Sequence, residues 1–156
     1  MGVFGGQFGR GSGSALIVPA SVSLPAGTLN SGNVASLRTF NDGNYYNVQE
    51  VAAAPGFTIA VQFTGVSTFN AVLVNEDYLG NLQHIIELGI YNNVLGAWDV
   101  LAEISDQTAF NPRVWGIINP APYILNGVVN VRINHVSTGN ITHNILVDYV
   151  ALRMDY

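Results

Sequence analysis

The chain has 156 residues, of which 49% are apolar and only 10% charged, with a formal charge of −5 and neither cysteine nor lysine. That length suits one domain with a sizeable core. An acidic balance with no basic run excludes a protein that tracks nucleic-acid phosphates. The lack of cysteine excludes disulfides and thiolate metal sites.

In chain order, residues 1–14 (MGVFGGQFGRGSGS) form a glycine-rich arm that carries Val3, Phe4, Phe8 and Arg10. Residues 15–156 are expected to form the domain proper. No apolar run reaches the ~18 residues of a membrane-spanning helix. "ALIVPA" is too short and proline-broken for a secretion signal, so an unexported, soluble protein is expected. "NDGN" at 41–44 reads as a turn. "FTIAVQF" then alternates with Phe57, Ile59, Val61 and Phe63 on one face, the signature of a half-buried strand. Next, "HIIELGIY" aligns Ile86, Leu88 and Ile90, and "WDVLAEI" aligns Trp98, Val100, Ala102 and Ile104. A helical turn is the only departure from strand patterning, near "SDQTAF" at 105–110. "VVNVRIN" puts Val129, Val131 and Ile133 opposite Asn130, Arg132 and Asn134. The closing "ILVDYVALR" is apolar on both faces, which predicts a central or covered strand. Glycine and asparagine punctuate the runs at 55–56, 79–81, 92–97, 126–127 and 137–140. About eight short strands with frequent turns predict an all-β antiparallel sandwich of the jelly-roll kind.

The segments "IELGIYNNVLGAWDVLAEI", "YILNGVVNVRINH" and "HNILVDYVALR" resemble strands of galactose-binding-like (discoidin-type) jelly rolls. Related segments occur in carbohydrate-binding modules. The opening "DGNYYNVQEV" is similar to segments of tailed-bacteriophage structural proteins. The resemblance spans residues 34–152 and implies the fold; it does not by itself fix a role.

No nucleophile elbow or phosphate loop is present. Glu76 and Asp77 are neighbours that a strand points to opposite faces, a poor start for paired acid–base work. No enzyme active site and no cofactor are therefore expected. His84, His135 and His143 are scattered. His135 and His143 flank the "STGN" turn and could meet across a hairpin to hold a metal, but a pair of polar strand ends is the plainer reading, and no metal is assigned. Asp42 stands alone in its loop, short of the oxygen set calcium wants. Among the aromatics, one of Tyr45 and Tyr46 is expected in the core. Trp98 should pack inward with Val100 and Ile104, and Tyr149 should share the face of Ile145 and Val147. Tyr78 and Trp115 are then the exposed sugar-binding candidates. Asp148, inside an apolar strand, needs a partner, with Arg132 or Arg38 available.

Alone in water the arm should be disordered. Gripped by another chain, it becomes an assembly strap, with Val3, Phe4 and Phe8 in apolar pockets and Arg10 on a carboxylate or carbonyl. Strap, low surface charge and phage-like segments together lead to the expectation of a virion protein. The narrower expectation is a homo-oligomeric capsid decoration protein that binds the major capsid protein or other shell subunits. It would be made in the host cytoplasm and sit on the capsid surface. The alternatives are a carbohydrate-binding module that takes a glycan for host attachment, and a tail or baseplate component.

Overall fold

A computed structural model describes residues 13–105 and 109–155. Val3, Phe4, Phe8 and Arg10 of the arm lie outside the described residues, as does the centre of the "SDQTAF" turn. Eleven strands follow in order: β1 (Ser14–Ile17), β2 (Ser21–Ala26), β3 (Thr28–Ser31), β4 (Tyr46–Gln49), β5 (Phe57–Phe63), β6 (Ala71–Leu79), β7 (Ile86–Asn92), β8 (Ala97–Glu103), β9 (Arg113–Gly116), β10 (Val129–His135) and β11 (Asn144–Asp155). Short 3-10 turns lie at Val34–Leu37 and Ala121–Tyr123. Two antiparallel sheets face each other. One runs β3-β4-β11-β6-β9 with β1 also paired to β11; the other runs β2-β5-β10-β7-β8.

The alternation read from the sequence sets the core. Phe57, Ile59, Val61 and Phe63 face Ile145, Val147, Val150 and Leu152 across the sandwich, with Val129, Val131, Ile133, Ile86, Leu88 and Ile90 beside them, all buried. β11, apolar on both faces, lies between β4 and β6. Asn126 and Gly127 take φ of 53° and 76° between paired Leu125 and Val128, the doubly positive conformation of a tight hairpin turn.

Of the bulges in the two sheets, those on β8 and β11 alter which face the predicted aromatic residues present. On β8 the register slips between Leu88 and Gly89, so Leu101 is an extra residue. Trp98 therefore pairs with outward-facing Tyr91, and Val100 with Gly89, while Ala102 returns to the core opposite Leu88. The expectation that Trp98 and Val100 pack inward with Ile104 is corrected: one inserted residue reverses the face of everything on its far side. On β11 the slip falls between Val147 and Tyr149, which leaves Asp148 as the extra residue. Tyr149 consequently pairs with Asn75 and meets Phe40 edge-to-face at 5.9 Å, away from the inward face of Ile145 and Val147. Tyr46 is the core member of its pair, and Tyr45 stacks on Phe110 with centroids 4.8 Å apart.

Candidate functional site

The outer face of the five-stranded sheet is built from rows of residues that the register places side by side. Ser23, Ala60, Arg132, Gly89 and Val100 form one row. Gln62, Asn130, Tyr91 and Trp98 form a neighbouring row, and Thr58, Asn134, Glu87 and Glu103 the next. Beside the small Ala60 and Thr58 lies a groove of about 540 Å³ lined by Pro25, Ala54, Pro55, Thr58, Ala60, Trp98, Arg132, Asn134 and Val136. Pro25 sits in a bulge of edge strand β2, where a missing N–H costs no ladder bond. Trp98 stands on the opposite edge strand.

Gly89 lies beside the indole: the place a Cβ would take is 3.4 Å from the Asp99 carbonyl and 3.6 Å from both Trp98 Cε3 and Arg132 Cγ, ordinary contact distances. The Arg132 guanidinium stacks 4.5 Å from the indole centre, and Tyr91 meets the same indole edge-on at 5.3 Å. Partial burial lowers the pKa of Arg132 and Glu87 pulls it back up; the group stays cationic. The Thr58 hydroxyl donates to Asn134 Oδ1 at 2.6 Å, which orients that amide on the groove floor.

A second constellation closes one end of the sandwich. Glu50 follows β4 on the inward parity of Tyr46 and Val48, Tyr78 faces inward from β6, and His135 ends β10 behind Val129, Val131 and Ile133. His84 comes from the β6–β7 loop, and His143 directly precedes β11. The Glu50 and His135 side chains are wholly buried; His84 and His143 are 21% and 19% exposed. Glu50 accepts from the Tyr78 hydroxyl and, at 2.6 Å, from the Asn140 N–H. Its carboxylate oxygens lie 3.1 Å from His135 Nε2, 3.5 Å from His143 Nδ1 and 3.7 Å from His84 Nδ1. His84 Nδ1 is also 2.9 Å from His135 Nε2 and 3.1 Å from the Tyr78 hydroxyl. Burial, then the Glu50 carboxylate, pushes the Tyr78 phenol far above its ordinary value. Gly56 and Gly139 let the loops press onto this cluster. A Cβ on Gly56 would fall 2.7 Å from His135 Nδ1, and one on Gly139 2.4 Å from the Val51 carbonyl.

Several expectations change here. The histidines converge on one carboxylate that the alternation pattern concealed, because Glu50 lies just past its strand. Tyr78 is 2% exposed, so its ring offers no platform to a sugar. Trp115 pairs with core residue Val72 on edge strand β9 and packs against the core rather than standing in a loop. Asp148 pairs with neither arginine. Its Oδ2 accepts from the Asn41 N–H at 2.7 Å and the Asn75 amide at 2.8 Å. Arg38 donates instead to the carbonyls of Pro19 and Ala20, and Arg132 stacks over the Trp98 indole. Asp42 accepts from the backbone and side chain of Asn44, the turn geometry its sequence favours.

No family model matches the chain, and no curated protein matches it. Solved structures do. A point mutant of a family 29 carbohydrate-binding module superposes with a TM-score of 0.59 at 10% identity over 91% of this chain and 92% of that one. The family 32 module of C. perfringens NanJ, solved with galactose, gives 0.58 at 11% identity over 90% and 98%. A truncated AlyQ with family 32 and alginate lyase domains gives 0.53 at 11% identity, over 92% of this chain and 34% of that one. At such identities the likeness establishes the fold alone: an all-β antiparallel sandwich of the jelly-roll kind.

Proposed function

We propose that this protein is a non-catalytic carbohydrate-binding module, with the Trp98–Arg132 groove as its glycan site. The outward-turned Trp98 carries the reading. A pyranose ring has an apolar C–H face and a polar rim, so it is held by an aromatic surface flanked by amides, hydroxyls and a guanidinium. Trp98, Tyr91, Arg132, Asn134, Thr58 and Glu87 supply that set on one face. The sheet is four strand spacings wide, about 19 Å from β2 to β8, which suits an oligosaccharide lying across the strands better than a single sugar. Solved modules of similar fold that bind galactose, mannohexaose or cellulohexaose agree with this class of ligand. The capsid-decoration reading rests on the arm, which lies outside the described residues, on low surface charge and on phage-like segments, and nothing in the comparisons points to it.

The test is a glycan array followed by titration calorimetry on the best ligand. Trp98→Ala should weaken binding by about 1.5–3 kcal/mol, roughly 10- to 100-fold. Trp115→Ala, on the other sheet, should leave it unchanged. An array without a binding glycan, or wild-type affinity in Trp98→Ala, overturns the proposal.

A further inference from the structure

We infer that the Glu50 cluster is a zinc site, with Glu50, His84 and His143 as its protein ligands and His135 and Tyr78 beside the carboxylate. The first argument is proton accounting. His135 Nδ1 lies 2.9 Å from the Ser137 carbonyl. A carbonyl only accepts, so Nδ1 carries a hydrogen and Nε2 is the ring nitrogen turned to the cluster. It lies 3.1 Å from a carboxylate oxygen. The Tyr78 hydroxyl has one proton and gives it to Glu50. His143 Nδ1 is buried with no hydrogen-bond partner. The chain has no lysine, and among the described residues the basic side chains within ion-pair reach of Glu50 are the histidines themselves. A buried carboxylate ringed by imidazole nitrogens is a donor set suited to a cation.

The spacing identifies the cation. Zinc holds nitrogen and oxygen ligands at about 2.0–2.2 Å in a tetrahedron, which puts ligand atoms roughly 3.3–3.6 Å apart. The separations found are 3.5 and 3.7 Å from Glu50 Oε2 to His143 Nδ1 and His84 Nδ1, close to that spacing, while His135 Nε2 lies 3.1 Å from the other oxygen, Oε1. Glu50, His84 and His143 donor atoms all lie within 4.8 Å of one another. Calcium prefers six to eight oxygens, and Cu2+ prefers tetragonal geometry, so neither fits two imidazoles and one carboxylate as well. Asn140 N–H and Tyr78 O–H hold the carboxylate, an arrangement typical of metal ligands.

The bound ion joins ligands from three separate segments of the chain. It ties the segment after Glu50 to the β6–β7 and β10–β11 loops. Ala54 and Pro55 of the first segment also line the groove. The inference stands apart from glycan binding, because its readout is the metal.

Full-length protein prepared without an affinity tag, stripped with chelator and given Zn2+, should retain one ion per chain by elemental mass spectrometry. With Co2+ it should show the intense visible bands of a tetrahedral site. Its melting temperature should rise by about 8 °C at a hundredfold excess of Zn2+ over Kd. His84→Ala and His143→Ala alter partly exposed loop residues; each should keep the β-sheet circular dichroism and lose Zn2+ affinity at least tenfold. Failure of the wild-type protein to retain Zn2+, an octahedral Co2+ spectrum, or undiminished affinity in both variants would overturn the assignment.

Discussion

Removing one oxygen atom tests the buried end of the sandwich. Tyr78→Phe keeps the ring, 2% exposed, in its place and deletes only the hydroxyl that donates to Glu50. Glu50 is wholly buried, so water cannot replace the lost donor, and its Oε1 keeps only the His135 contact at 3.1 Å. A hydrogen bond to a charged group contributes about 1.5–3 kcal/mol. Unfolding entropy near 2.1 cal/mol/K per residue gives a chain of this length about 0.33 kcal/mol/K at its midpoint. The variant should therefore melt about 5–9 °C below the parent. Scanning calorimetry of chelator-treated protein at neutral pH reads this without any contribution from metal. A shift under roughly 1 °C would show that the hydroxyl and the carboxylate do not share a proton in the folded state, and the cluster as described would be wrong.

Alkaline pH should destabilise the fold. Burial raises the phenols of Tyr46, Tyr78 and Tyr149, so above pH ~10 the unfolded chain releases protons that the native state retains, and stability falls as pH rises. Urea midpoints measured from pH 8 to 11 should decline in the upper part of that range; a flat profile would contradict the burial of these rings. Asp148→Ala should cost about 2–4 kcal/mol by leaving the Asn41 N–H and the Asn75 amide without their acceptor, whereas Asp148→Asn should recover part of it. Chemical denaturation separates the two, and equal loss in both would mean that the charge rather than the acceptor matters.

The local pattern of the chain was sufficient for the strands. Each alternation of apolar and polar residues over about seven positions, as in Phe57–Phe63 and Val129–His135, reports which side of a pleated backbone meets water, and the backbone imposes that periodicity before any partner is chosen. Glycine and asparagine likewise marked the turns, because positive φ is a local steric matter. Neither bulge could be read this way. Whether Leu101 or Asp148 is skipped depends on how a neighbouring strand pairs, and that pairing turned Trp98 out to the groove and Tyr149 away from the core. The cluster is further still from local rules. Glu50, His84, His135 and His143 come from four separate segments, and only the stacking of two sheets brings the ends of β4, β6 and β10 to one edge. Pleat and turn act over a few bonds, whereas a site assembled from distant residues exists only once the whole sandwich has closed.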